Sequence, residues 1–433
     1  MCNVSQHCKE KLTVSARPSG FMLPIDTIDT TKFKPNTNAL FRAMQAKLKS
    51  MKDDPGLEQK EQDYGFHFFE NNWLQDESYS TTFMDTFAYD WMHAYVENGV
   101  FDTEMHELQT NLQKHGYGCK SLNTYLEKWR WPRAYATGAN LCKHAAHKAD
   151  DKDVSPSGTA SEYVSVAPVY AKWLQQIPVH ICRIQVESML LCIRVLVLLQ
   201  LVITGAVSAS DLADAMQAHF EKHREAYGDS IWKPKFHYSL HLPLQLLKPL
   251  MLLACFVHER KHRVYKRWAH AFTSKQSMER CMLEEVTWVH MQALRHSLIH
   301  PALPDERAAD DNLIRVLKST GHIVHASQES SVFYSRTLHT NGRMVVAGDI
   351  AFYDSGTGDG PGVGQVYFHC RIDAEYFTCI APYTVTTRTD NWIKAIVVES
   401  PELIESGKLL KSAIYNAVAV GQTMTVLSDW TCL

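Results

Sequence analysis

The chain has 433 residues, of which 45% are apolar, and its formal net charge is -3. This length and apolar content are sufficient for two or three domains with a sizeable core. The small net charge excludes a protein surrounded by an overall basic field. Eleven cysteines, an odd number without framework spacing, fit free thiols in a reducing compartment better than a secreted disulfide scaffold, so we expect no disulfides.

Two features predict an intracellular protein without a membrane partner. Residues 1–4 lack the basic and then apolar pattern of a signal peptide. The most apolar run, residues 189–204, contains Arg194 and Gln200 and is short for a bilayer. We therefore expect this run to form a buried helix.

Helical patterns dominate the chain up to about residue 325. Periodicity, caps and breaks predict helices at residues 39–51, 91–108, 182–204, 210–228 and 257–296. Ser161 and Ser210 are the expected N-caps of the helices that follow them. Residues 148–161, rich in Asp and Ser, predict an exposed loop.

The period changes after residue 325. Short segments rich in Val, Ile, Tyr and Thr predict strands at residues 343–353, 363–372, 376–387, 393–399 and 412–427. The glycine-rich stretch 354–362 predicts a hairpin loop, because no helix follows it as in a phosphate-binding loop. We therefore expect an α+β protein with a large helical domain, residues 1–325, and a small β-barrel-like domain, residues 326–433.

A His-Glu-x-x-His string spans residues 258–262. In a zinc metallopeptidase His258 and His262 would bind the metal, Glu259 would act as the base, and Glu284 or Glu285 would supply a third ligand. Inside this string, however, lie Arg260 and Lys261, which would be costly to dehydrate against a buried metal. These charges argue against the peptidase, which stays an alternative.

The same stretch is the most basic part of the chain. Residues 256–280 contain seven Lys or Arg against two Glu. Such a helix either contacts nucleic-acid phosphates or forms a solvated face.

Three motifs occur in a fixed order along the chain. They are Asp90-x-Met92-His93, then Phe236-His237-x-x-x-His241-x-Pro243, then Phe256-x-x-Glu259. This set resembles the C-terminal part of CACTA-like DDE transposases, across about residues 1–300. In that family an Asp-x-Met-His segment precedes a helical insertion, and a His-x-x-x-His segment leads to the helix with the last catalytic Glu.

The resemblance implies roles for the residues of the third motif. Glu259 would be the third catalytic carboxylate, and a basic surface would face phosphates; it comprises Arg260, Lys261, Arg263, Lys266 and Arg267. The family needs two more Asp on a ribonuclease-H-like sheet to hold two Mg²⁺ ions. Neither Asp is apparent here, so we expect an incomplete core, a vestigial Glu259, no strand transfer, and Mg²⁺ only if those Asp are supplied.

The resemblance also implies a zinc site. Related recombinases pair two Cys with two His shortly before the Glu; His237 and His241 match the His half, and Cys2 stands for the Cys half. Asp90 and His93 are alternative ligands. Without a metal, the two His would be polar helix positions bonded to backbone, and Asp90 would cap the helix that starts at Trp91.

A weaker metal-like pattern, Cys142-x-His144-x-x-His147, lies on an alanine-rich stretch and is not expected to be a site. The sequence as a whole predicts a transposase-derived protein, nuclear if functional, that retains DNA binding and is not an active enzyme. The remaining alternative is a non-enzymatic interaction module, in which the C-terminal β-domain binds another protein.

Overall fold

The computed structural model describes the chain in segments. These are residues 4–8, 11–14, 23–34, 36–64, 67–68, 87–133, 141–142, 156–229, 231–247, 252–256, 278–297, 301–319, 321–322, 331–340, 343–356, 358, 360–389, 392–397, 400–416 and 423–427. Within them the fold is α+β, as predicted: helices fill most of the first 320 residues, and a curled antiparallel sheet forms a half-barrel in the C-terminal part.

A small N-terminal unit was not predicted as such. It contains a three-stranded antiparallel sheet, β1 (Val4–Cys8), β2 (Lys11–Val14) and β3 (Leu23–Pro24), followed by helices α1 (Asn38–Ser50) and α2 (Leu57–Tyr64). Helix α1 confirms the helix predicted at residues 39–51. Its apolar stripe buries Met44 and Leu48 against Tyr64 of α2.

The largest core lies among the central helices. These are a π-helical turn (Met92–Val96), α3 (Val100–Gln113), α4 (Cys119–Leu126), α5 (Ala160–Leu174), α6 (Arg183–Leu201), α7 (Ala209–Tyr227), α8 (Pro234–Ser239) and α9 (Leu242–Leu246). The single helix predicted at residues 91–108 is instead two elements, because the chain turns at Gly99. A Cβ at Gly99 would lie 2.6 Å from the carbonyl carbon of Tyr95, so this turn requires glycine.

Two predicted N-caps were wrong by two residues. Helix α5 is capped by Thr159, and α7 by Ser208, rather than by Ser161 and Ser210. In each case the carboxylate three residues later accepts the backbone N–H of the cap, so a capping box fixes the helix start.

Helix α6 contains the apolar run. By length and composition alone it could cross a membrane, with a mean hydropathy of 1.8 over its best window, of which 44% is buried. Its inner face, including Met189, Leu196 and Leu199, packs into the helical core. A long apolar helix in the core of a globular protein meets the same criteria of length and composition, so these criteria alone do not indicate a membrane span.

The C-terminal sheet is antiparallel and strongly curled. Along its main path the order is β14 (Leu409–Ser412), β9 (Ile350–Tyr353), β10 (Gly362–Ile372), β11 (Glu375–Arg388), β12 (Trp392–Val397), β16 (Met424–Leu427), β15 (Tyr415–Asn416) and β4 (Trp129–Arg130). Strands β5 (Arg307–Ala308), β6 (Val332–Ser335) and β13 (Glu402–Glu405) pair beside it, and β7 (Thr337–Thr340) with β8 (Arg343–Val346) forms a separate hairpin. Two further helices, α10 (Met278–Ser297) and α11 (Asp311–Ser319), precede most of these strands.

The strands predicted at residues 363–372, 376–387 and 393–399 are present as β10, β11 and β12, whereas the segment 343–353 forms two strands, β8 and β9, and the segment 412–427 includes the separate strands β15 and β16. Strands β9 and β10 are antiparallel neighbours with Tyr353 opposite Gly362, so the predicted hairpin is confirmed. The curl comes from long strands that shift register, as β10 does between Val366 and Phe368, because a bulge increases the local twist.

The sheet also recruits residues that precede position 326. Strand β4 pairs with β15, and β5 pairs with β6. The backbone N–H of Arg133 donates to Asp349 Oδ1 at 3.3 Å. The region before residue 326 therefore supplies strands to the C-terminal sheet. The domain boundary at residue 325 stays a prediction.

Candidate functional site

The structure brings the first two motif segments together and places Phe256, the first residue of the third motif, beside the first; the rest of the third motif lies outside the described residues. Asp90 accepts the backbone N–H of Cys255 at 3.0 Å, and the Trp91 N–H donates to the Leu253 carbonyl at 3.1 Å. The rings of Trp91 and Phe256 pack edge to face with centroids 5.4 Å apart. The first motif therefore contacts the first residue of the third motif.

Tyr89 links the first motif to the second. Its backbone N–H donates to Gln245 Oε1 at 2.7 Å, and Gln245 Nε2 donates to the Tyr89 carbonyl at 3.0 Å. The Tyr89 ring stacks on Tyr238 and on His241, with centroids 4.8 and 5.5 Å apart. This reciprocal amide pairing satisfies both backbone groups of a half-buried residue and fixes the register of the two segments.

Asp90 also caps the helical turn that follows it. Its Oδ1 accepts the backbone N–H of Met92 at 3.1 Å, and its Oδ2 bonds to His93 Nδ1. The capping role predicted as the alternative to a metal is therefore confirmed. Ligand-type atoms of Asp90, His93 and Cys255 nevertheless all lie within 4.8 Å of one another, a spacing that would also suit a cation.

His237 and His241 face each other across one turn, in α8 and just before α9. Their Nε2 atoms are 3.2 Å apart and both side chains are buried. Burial lowers the pKa of His237 to about 3 and that of His241 well below its ordinary value. Both imidazoles are therefore neutral at physiological pH, which is the form that binds metals.

The predicted four-ligand group is arranged as two pairs. Asp90 lies with His93, and His237 lies with His241. Within the described part of the chain, no cluster of three or more ligand-type side chains within 4.8 Å contains His237 or His241. Phe33, Tyr89 and Tyr238 supply the rings around this His pair.

Several predicted site residues lie outside the described residues. They are Cys2, His144, His147, His258, Glu259, Arg260, Lys261, His262, Arg263, Lys266 and Arg267. Of the two acids proposed as a third peptidase ligand, Glu284 is exposed and forms an ion pair with Arg280 at 2.7 Å. Cys142 is buried.

Sequence reasoning missed a second cluster, in the helical core. Glu104, Cys192 and His219 are all fully buried, and their ligand-type atoms lie within 4.8 Å of one another. His223, one turn after His219, is buried beside them. The signal in the sequence was the pair His219-x-x-x-His223 on the apolar side of an amphipathic helix. Polar side chains are seldom buried at such positions without a partner.

No protein-family model matches the chain, and no curated protein matches its sequence.

Proposed function

We propose that this chain is a transposase-derived DNA-binding protein in which a helical module separates the Asp90 segment from the segment leading to Glu259. One observation carries the proposal. Asp90 and Trp91 of the first motif contact Cys255 and Phe256, where the third motif begins, although Asp90 and Cys255 are 165 positions apart.

The convergence of these segments matters because short motifs are matched by chance. An accidental set of matches would have no reason to converge in the fold. Here the chain leaves the first motif after His93, continues through α3 to α7, and returns at the second motif. Beside that motif, Lys235 Nζ donates to the Glu97 carbonyl at 2.8 Å. A helical insertion between the first two motifs is what the resemblance implies.

DNA binding is assigned to the basic stretch that begins just after Cys255 and Phe256. Those two residues are anchored on Asp90 and Trp91, so the chain enters the basic stretch from a fixed point. Lys and Arg in such a stretch would bind phosphates by releasing condensed counterions, which makes affinity depend on salt but scarcely on sequence.

The experiment measures binding to duplex DNA over a range of salt. We expect the affinity to fall as salt rises. Reversing four charges together, Lys261→Glu, Arg263→Glu, Lys266→Glu and Arg267→Glu, should reduce the slope by roughly one unit for each phosphate that the variant no longer neutralises.

A matched control reverses four exposed lysines elsewhere in the helical region, at Lys47, Lys49, Lys120 and Lys128, and so changes the net charge equally. This control should retain the wild-type slope. Equal slopes for the wild-type protein and the folded Lys261 to Arg267 variant would overturn the proposal.

A second proposal concerns His237 and His241: we propose that they are two ligands of a zinc ion that holds the segment before Glu259. Two neutral, buried imidazoles with facing Nε2 atoms suit zinc, because the metal needs unprotonated nitrogens. The resemblance assigns the other ligands to a Cys pair.

Zinc content of the purified full chain, measured by mass spectrometry, tests this site. The double variant His237→Asn, His241→Asn should lose one equivalent of zinc. His180→Asn, at an exposed histidine, should lose none. An unchanged zinc content in the folded double variant would reject the site.

A further inference from the structure

The buried cluster in the helical core has the composition of a metal site. Glu104 comes from α3, Cys192 from α6, and His219 with His223 from α7, and each of the four side chains is fully buried. Three neighbouring helices therefore direct polar side chains at one another in an otherwise apolar interior. Such groups are costly to bury unless each is paired or bound to a metal.

Glu104 is at the centre of this cluster. Its Oε2 lies 2.6 Å from His219 Nε2 and 3.2 Å from His223 Nδ1. Burial opposes ionisation of Glu104, but the charge and hydrogen bond of His219, together with the nearby His223, outweigh it and hold the pKa of Glu104 below its ordinary value. The carboxylate is thus ionised and able to act as a ligand.

Three polar atoms in the cluster have no hydrogen-bond partner among the described residues. They are Glu104 Oε1 and both ring nitrogens of His223, whose Nδ1 approaches Glu104 without the geometry of a hydrogen bond. Phe236 and Trp232 pack against the His223 ring, with centroids 4.9 and 6.0 Å away. Fully buried polar groups of this kind call for a further partner, such as a bound ion.

Tyr95 orients His219. Its hydroxyl lies 3.0 Å from His219 Nδ1 and donates to the Cys192 carbonyl at 3.4 Å. Because the hydroxyl proton is directed to that carbonyl, the phenol oxygen can accept the proton on Nδ1. Once Nε2 releases the proton that it shares with Glu104, its lone pair can bind a metal, and the hydrogen bond at Nδ1 fixes the orientation of the ring.

We propose that Glu104, Cys192, His219 and His223 bind a zinc ion in the helical core. Carboxylate, thiolate and imidazole are all zinc ligands, and four of them complete the tetrahedron typical of structural zinc sites. His223 would swing from its present position beside Glu104 to become the fourth ligand.

The charges balance in this site. Zinc carries two positive charges, the Glu104 carboxylate and the Cys192 thiolate each carry one negative charge, and the two imidazoles are neutral. Binding would release the Cys192 thiol proton and the proton shared between Glu104 and His219. A neutral site would give the buried Glu104 and His223 side chains a common partner in the core.

Zinc would then connect α3, α6 and α7. Its role would be structural, because every protein ligand is fully buried and no ligand position faces solvent. This site is independent of DNA binding and shares no residue with His237 and His241.

The test replaces zinc by cobalt in the full-length protein after removal of bound metal with a chelator. Cobalt bound by a thiolate gives a near-ultraviolet charge-transfer band, and tetrahedral cobalt gives intense visible bands. We expect one thiolate-bound cobalt per chain at this site, and readdition of zinc should raise the melting temperature even of the His237→Asn, His241→Asn protein.

Cys192→Ser should remove the charge-transfer band of this site, whereas Cys370→Ser, equally buried in β10, should leave it unchanged. Glu104→Gln should lose one equivalent of zinc, and Tyr95→Phe should weaken zinc binding by roughly 10- to 100-fold. The His237→Asn, His241→Asn variant should retain this equivalent, which distinguishes the two zinc sites.

The competing explanation is a metal-free ion pair between Glu104 and His219. It predicts no cobalt band sensitive to Cys192→Ser and no rise in melting temperature on adding zinc to the His237→Asn, His241→Asn protein. Because this measurement leaves all four core side chains unchanged, the proposal would be overturned even if the Glu104 variant failed to fold.

Discussion

Asp90 accepts the backbone N–H of Cys255 at 3.0 Å, across 165 positions of sequence. The same carboxylate accepts the N–H of Met92, so a local helix cap and a long-range contact depend on one side chain. This relationship makes Asp90 a residue whose removal should affect both the helical turn and the return of the chain.

Replacing Asp90 by Ala should lower the free energy of unfolding by about 1–3 kcal/mol, because it leaves partly buried N–H groups without an acceptor. Asp90→Asn keeps an acceptor oxygen and should cost less than Asp90→Ala. Urea denaturation measures the difference. Equal stability of the Ala variant and the wild type would show that Asp90 has no structural role.

Stability should fall in acid because of the buried His pair. The pKa of His237 is lowered to about 3 and that of His241 is also lowered, whereas both take up a proton near pH 6.5 in the unfolded chain. The unfolded state therefore binds more protons below about pH 6.5. The stabilisation is present above that pH and is lost as the pH falls towards 3, by up to about 1.4 kcal/mol per pH unit for each histidine.

Denaturation at several pH values, with a chelator present, measures this dependence. His237→Phe should flatten it, because an apolar ring cannot take up a proton in the unfolded state. His180→Asn, at the exposed control position, should leave the curve unchanged. A wild-type curve that stays flat between pH 7 and pH 5 would contradict the prediction.

Gly364→Ala should destabilise the curled sheet. A Cβ at Gly364 would lie 2.5 Å from the carbonyl oxygen of Ala381 on the neighbouring strand β11, a distance that requires the backbone to shift. We expect the free energy of unfolding to fall by about 1–3 kcal/mol, the usual cost of overpacking. Gly407→Ala is the matched control, because none of the described residues lies within 4 Å of its Cβ. Equal melting temperatures of the two variants would refute the close approach.

Leu196→Ala should lower the free energy of unfolding by about 2–5 kcal/mol through loss of buried surface and creation of a cavity. Leu196 is fully buried in α6. Val179→Ala, at a side chain that is 76% exposed, should change it by less than about 0.5 kcal/mol. A Leu196 variant as stable as the Val179 variant would show that α6 does not form part of the core.

The sequence alone determined the elements that depend on local patterns. The helices α1, α6 and α7 follow from apolar periodicity, and the hairpin of β9 and β10 follows from its turn residues. These predictions succeeded because the period of side-chain burial is set by the local backbone. The predicted N-caps were wrong by two residues, because several polar residues near each helix start could act as the cap. The actual caps, Thr159 and Ser208, are the ones with a carboxylate three residues later that completes a capping box.

Only the tertiary structure decided which distant residues meet. His237 and His241 were paired from their spacing on one turn, but the separation of this pair from the Asp90 and His93 group could not be read from sequence. Glu104, Cys192 and His219 were missed altogether, because they come from three helices separated by up to 115 positions. The period of apolar side chains indicates which face of a helix is buried. Which side chains meet across the core depends on how the helices pack, and this packing determines the chemistry of the core.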